Sequence, residues 1–278
     1  MYKLHICIVA TSLYNKYLDY FFKSLKNLKL KNFEYDVIVI SNTKPEYDCL
    51  YYPIAHLPYP FVTYFKPLTI KHALLYFNIS DKDYFMFVDA DTIIRKIDNF
   101  DVFEEALLSN KLIFTISPWS YFKFVNENKY NSFNYKEVYI EDFVNKRDFI
   151  QASFFAGRIN EYNDFCDDYF NLVQEFSKDW LHKRIPPMND QSIICKLVHD
   201  NMDKFITDYF IVNTYEDYNI EDADNIVLKN AYCKCKFIMD DNPHVFLIQK
   251  FNKDIKSSIR LYRWAKTHKK KGIWQINC

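Results

Sequence analysis

Glycine is almost missing from this chain, which has two, Gly157 and Gly272, in 278 residues. A phosphate loop of the GxxxxGK[ST] kind and a dinucleotide fingerprint of the GxGxxG kind both need clustered glycines for close backbone approach to phosphate. Neither can be built here, so any phosphate must be held another way. Net charge is missing as well: Lys plus Arg and Asp plus Glu each total 36, which gives no whole-surface case for a nucleic-acid or polyanionic partner. No uninterrupted apolar stretch approaches the length of a membrane span, and nothing at the start reads as a signal peptide. The seven cysteines (Cys7, Cys49, Cys166, Cys195, Cys233, Cys235 and Cys278) are odd in number and widely spread, which fits neither a zinc spacing nor a disulfide scaffold. Reduced thiols and a cytoplasmic location are the expectation.

What the chain does have is apolar and aromatic side chains, 49% and 19% of its residues, enough for a substantial core. KLHICIVATS (3–12) predicts a buried strand, YNKYLDYFFKSLKNLKL (14–30) an amphipathic helix, and EYDVIVISN (34–42) the next strand. Strand, helix and strand in succession make a βαβ unit and favour a parallel sheet. A helix over 68–79, a strand over 84–91, a helix over 101–109 and a strand over 111–117 follow. After a polar aromatic segment, 118–147, come a strand at 148–159, a long helix at 161–180 and a helix at 189–200. Short strands are expected near 205–213 and 243–249. The predicted fold is a single α/β, Rossmann-like domain over residues 1–249 with a mixed, mainly parallel sheet flanked by helices, and a basic tail over 250–278.

The stretch YFMFVDAD ends an apolar strand on two carboxylates, Asp89 and Asp91. Ligands of open α/β sheets bind at the carboxyl ends of strands, and residues two apart along a strand point the same way. Two such carboxylates would form a hard-oxygen site for Mn²⁺ or Mg²⁺, and the ion would bridge to phosphate oxygens in place of a glycine loop. Without a cation the pair would repel and raise its own pKa values. Two enzyme classes carry such a motif. In haloacid-dehalogenase-like phosphotransferases the pattern DxDx[TV] matches DADT, with Asp89 as nucleophile and Asp91 as acid/base. In nucleotide-sugar glycosyltransferases the motif holds the metal.

The surrounding residues resemble the second class, the retaining GT-A glycosyltransferases. IVATSLYNKYLDYFFKSLKN, the ungapped KPLTIKHALLYFNISDKDYFMFVDAD, DFIQASFFAG and NDQSIICK resemble family 6, the blood-group A/B and α-1,3-galactosyltransferase type. DADTIIRKID leans to family 8, the glycogenin and lipopolysaccharide galactosyltransferase type. The resemblance implies that Ala10, Thr11 and Tyr14 line a uridine. It implies that Lys66 stands where the family keeps an Arg on the donor phosphate, and that Gln151, Ala152 and Ser153 lie beside the donor sugar. It implies a UDP-hexose donor, metal-dependent transfer to a saccharide or glycolipid acceptor in α linkage, and Asp190 with Gln191 as the catalytic pair. Gln191 replaces the family-6 Glu, and an amide is no carboxylate nucleophile. Family 8 carries the same Asp-Gln pair and implies front-face attack.

By resemblance to family 8, His244 is a candidate third metal ligand, against the reading of an ordinary structural histidine, and the HxxGxxKPW context is not repeated around it. Lys250 and Lys253 open a segment, 250–271, with nine Lys or Arg and one Asp. As a charge run it reads as a solvated terminal helix; by resemblance to family 6 it would fold over the diphosphate, and Arg260, Tyr262, Arg263 and Trp264 with the terminal lysines would suit anionic lipid. Trp119, Tyr121 and Phe122 are candidates for the acceptor platform, against ordinary core packing. A non-catalytic nucleotide-sugar-binding protein is the remaining alternative. No nucleic-acid partner is expected.

Overall fold

The computed structural model describes residues 1–57, 61–94, 96–97, 99–116, 150–180, 190–208, 211–213 and 247–249. The predicted residues His244, Lys250, Lys253, Trp119, Tyr121 and Phe122 and the basic tail lie outside this range.

The chain forms the predicted α/β, Rossmann-like domain. Its main sheet comprises β1 (Tyr2–Val9), β2 (Phe33–Ser41), β3 (Leu50–Pro53), β4 (Tyr84–Asp89), β6 (Leu112–Ile116), β7 (Ile150–Arg158) and β8 (Phe205–Asp208). The order is β3-β2-β1-β4-β7-β6-β8. β7 runs antiparallel to both its neighbours, and the other pairings are parallel. Side chains alternate between two cores, as the period of two in a strand requires. Cys7, Ile38, Ile40, Phe85 and Phe87 join one core, while Leu4, Ile6, Ile8, Val37, Val39, Met86 and Val88 join the other. Burial on both faces explains why these strands read as unbroken apolar runs.

Helices α3 (Lys66–Tyr76), α5 (Ile159–Trp180) and α6 (Asp190–Asp200) cover the first face, through residues such as Ile70, Tyr162, Tyr169 and Ile194. Helices α1 (Leu18–Ser24) and α4 (Asp101–Leu107) cover the second, through Leu18, Phe21 and Phe103. Among the described residues no helix is long and apolar enough to cross a membrane.

The helix expected over 14–30 is instead three pieces: a 3₁₀ turn Ser12–Tyr17, α1, and a 3₁₀ turn Leu25–Asn27. The reason lies in two polar side chains that serve another element. Ser24 Oγ accepts from Ile94 N–H at 2.9 Å, and Asn27 Nδ2 donates to Ile94 O at 2.9 Å. They mimic a neighbouring strand along β5 (Thr92–Ile94). The other edge of β5 pairs with β10 (Leu247–Gln249), which also pairs with β9 (Ile211–Asn213). The strand expected to run to residue 91 stops at Asp89, and the chain turns through Ala90 and Asp91 into this second, three-stranded sheet. The short β3, helix α2 (Phe61–Tyr64) and β5 have no counterpart among the sequence expectations.

Gly157 lies in β7 against the start of β6. Its φ is +151°, and a Cβ there would lie 2.7 Å from Leu112 Cδ2 and 3.1 Å from Lys111 O. Only a residue without a side chain fits both constraints. Gly157→Ala should therefore lower stability by about 2 kcal/mol and the melting temperature by about 5 °C. A melting curve unchanged by the substitution would contradict this account of the β6–β7 contact.

Candidate functional site at the carboxyl ends of β1 and β4

The chain order reverses between β1 and β4. After β2 and β3 on one side of β1, the chain passes through α2 and α3 and returns as β4 on the other side. Such a switch point leaves a crevice at the strand ends, where ligands of open α/β sheets bind. In register, Val9 and Asp89 end the two strands side by side. A cavity of about 500 Å³ opens above them, in the range of small-ligand pockets. Thr11, Ser12 and Tyr14 line it from the chain after β1, His56 from the loop after β3, Val62 and Thr63 from α2, Lys66 from α3, and Asp89 and Ala90 from β4.

The rim after β1 is held in an unusual backbone state. Ser12 has φ +54°, a left-handed conformation that costs a non-glycine residue about 1 kcal/mol. Its N–H donates to Asn42 Oδ1 at 2.8 Å, and Ala10 N–H donates to Ile40 O at 2.9 Å. Ser41 Oγ donates to Asn15 Oδ1 at 2.8 Å and accepts from Thr43 N–H at 3.1 Å. The ends of β1 and β2 thus fix each other, which aims the chain between Thr11 and Tyr14 into the cavity.

Lys66 is the centre of the site. Its Nζ lies 3.2 Å from Asp89 Oδ1 and 3.1 Å from Asp190 Oδ2, the second as an ion pair outside good hydrogen-bond alignment. It also donates to Ala152 O at 3.3 Å and stands 5.1 Å from the centre of the Phe87 ring. Burial pulls the ammonium down, but the charges of Asp190 and Asp89 outweigh it and hold Lys66 above the usual lysine range. Burial pushes Asp190 up; Lys66 opposes this and Asp89 adds to it, and the net direction is up. The start of α3 is positioned from α5. Tyr162 Oη donates to Pro67 O at 2.7 Å and Tyr169 Oη to Tyr64 O at 3.0 Å, one carbonyl on each side of Lys66.

The carbonyl that meets Lys66 belongs to a bulge. Phe114 pairs with Phe155 but Thr115 pairs with Gln151, so Ala152, Ser153 and Phe154 bow out of the β6–β7 ladder. Bulges of this kind re-aim strand residues beside binding sites. The Ser153 and Thr115 hydroxyls nearby are buried and have no hydrogen-bond partner among the described residues.

Of the residues singled out in the sequence, Thr11, Tyr14, Lys66 and Asp89 line one cavity, and Asp190 and Ala152 join it through Lys66. Gln191 is half-buried beside Asp190, Gln151 and Ser153 are buried in β7, and Ala10 is buried at the end of β1, off the cavity lining. The expectation for Asp91 needs correction. Strand alternation was to put it beside Asp89, but the strand ends at Asp89, and Asp91 lies in the turn, 2% exposed and off the cavity lining. Asp89 instead shares Lys66 with Asp190, from a distant motif. For a divalent cation the donor chemistry fits at Asp89, a hard-oxygen carboxylate on the cavity wall.

His56, Val62 and Thr63 were missed by sequence reasoning, because they follow an edge strand that went unrecognised. The β-favouring LYYP was the available signal. No family model and no curated protein matches this chain.

Two outcomes follow from the Lys66 cluster. Lys66→Met strands two carboxylates near the core and should cost about 3 kcal/mol in urea unfolding, the scale of a broken buried pair. Asp190, whose pKa is raised on folding, binds its proton more tightly in the native state, so its contribution favours folding at low pH and declines as pH rises through the folded value. In metal-free buffer, Asp190→Asn should therefore gain stability relative to wild type as pH climbs from about 4 toward neutrality. Parallel stability–pH curves would show that Asp190 is not desolvated as described.

Proposed function

We propose that this chain is a retaining glycosyltransferase of the GT-A type, related in its motifs to families 6 and 8, that transfers a hexose from a UDP-sugar to a saccharide or glycolipid hydroxyl in α linkage. One observation carries the reading. Thr11, Tyr14, Lys66 and Asp89, assigned to base, phosphate and metal from separate sequence motifs, line a single cavity at the switch point of the sheet.

Mn²⁺ or Mg²⁺ would be held by Asp89, and when bound it supplies Lewis-acid stabilisation of the diphosphate. Lys66 faces the same diphosphate and offsets the charge that develops as it leaves. The bond between the sugar C1 and the β-phosphate oxygen breaks, and its electron pair goes to UDP. The acceptor hydroxyl oxygen bonds to C1 on the same face, and its proton passes to the departing phosphate oxygen. Asp190 and the Gln191 amide, at the start of α6, support the positive charge at C1 without a covalent intermediate. The setting we propose is cytoplasmic, with the basic tail available to an anionic membrane face. The phosphotransferase alternative asks both Asp89 and Asp91 to meet one phosphorus, and the burial of Asp91 counts against it.

The test is thermal shift against UDP-glucose, UDP-galactose and UDP-N-acetylgalactosamine with and without Mn²⁺. At least one donor should raise the melting temperature by several degrees with Mn²⁺, and Asp89→Asn should remove the metal dependence. If no UDP-sugar shifts the transition, the reading fails. A shift without sugar release to any glycan or to water would favour a binding protein, and phosphoryl transfer to Asp89 would favour the phosphotransferase.

A further inference from the structure

The cavity lining comprises two chemically distinct sets of side chains. Lys66 and Asp89 carry formal charge. Thr11, Tyr14 and His56 offer an aromatic face and side-chain hydrogen bonding. His56 was assigned no role by any motif, yet its Nδ1 lies 3.3 Å from Thr11 Oγ1, which ties the loop after β3 to the end of β1. Thr11 is itself buried, 5% exposed, so its hydroxyl is a fixed partner for the ring. The contact occupies Nδ1 and leaves Nε2 as the ring nitrogen available to a ligand.

Resting on the glycosyltransferase reading, we propose that His56 is a specificity residue that binds the nucleoside half of the donor through Nε2, while Lys66 and Asp89 serve its diphosphate half. A ligand with its phosphates at Lys66 has Thr11, Tyr14 and His56 in the same cavity for the rest of the molecule. A heterocycle or a ribose suits them, because each combines a face for an aromatic ring with uncharged hydrogen-bonding groups. The two sets come from adjacent strands, since Thr11 and Tyr14 follow β1 and Asp89 ends the neighbouring β4.

The experiment compares two probes, UDP and inorganic pyrophosphate, both with Mn²⁺, by calorimetry on the full chain and its variants, with melting curves to confirm that each variant folds. His56→Ala should weaken UDP about tenfold, the scale of one lost hydrogen bond, and leave pyrophosphate unchanged. His56→Gln, whose amide nitrogen falls near the Nε2 position, should recover part of the UDP affinity. Lys66→Ala should weaken both probes. If His56→Ala loses UDP and pyrophosphate equally, or loses neither, the assignment is overturned. A wild-type chain that binds no UDP overturns the glycosyltransferase reading and this inference together, whereas tight UDP binding that ignores His56 overturns the inference alone.

Discussion

The contact of Lys66 with Asp89 and Asp190 organises the end of this molecule where the candidate site lies. It joins the start of α3, the end of β4 and the start of α6, elements that are remote in sequence. An ammonium with 11% of its side chain exposed requires anionic partners, because burial alone would strip its charge. Two carboxylates supply it, and the Ala152 carbonyl, released from the β6–β7 ladder by a bulge, adds a further acceptor. The bulge is thus part of the ionic site: a regular ladder would have engaged that backbone in the sheet.

Around this contact the framework is fixed by hydrogen bonds that elements give away. Tyr162 and Tyr169 leave the core of α5 only by their hydroxyls, which grip carbonyls on both sides of Lys66. Ser24 and Asn27 interrupt a helix to hold β5, the strand that follows the two aspartates, and β10 holds its other edge. On the second face Glu104, buried in α4, accepts from the backbone N–H of Lys31 and from Asn32 Nδ2, and so orders the loop that enters β2. In each case a polar side chain inside the protein is satisfied by protein groups, chiefly backbone, rather than by solvent, which makes the local geometry stiff.

This arrangement explains which parts were legible in the sequence. The strands β1, β2 and β4 and the helices α5 and α6 follow from apolar runs and periodicity, because burial acts on every residue of such elements. Asp89 was legible for the same reason, as the first polar residue after an apolar strand. Asp91 was not, since alternation applies only while the strand continues, and the turn at Ala90 is set by where β5 must go. The pairing of Asp190 with Lys66 depends on tertiary closure, which no local pattern encodes. His56 lay hidden because its loop follows a four-residue edge strand, too short for periodicity to register.

The shortage of glycine ties these features together. A chain with clustered glycines can present backbone N–H groups to phosphate at a strand end, with no charge to neutralise when the ligand departs. Here the left-handed residue after β1 is Ser12, locked by Asn42, and the one described glycine, Gly157, is consumed by the close passage of β7 past Leu112. What this end of the sheet presents instead is charged side chains, Lys66 and Asp89. A charged side chain in a half-buried crevice is best neutralised within the protein, and the lysine that does so for Asp89 is held charged by Asp89 and Asp190 together against its own desolvation. Asp190, from a helix start at the far end of the sequence motifs, thereby joins the ionic cluster that Asp89 and Lys66 form.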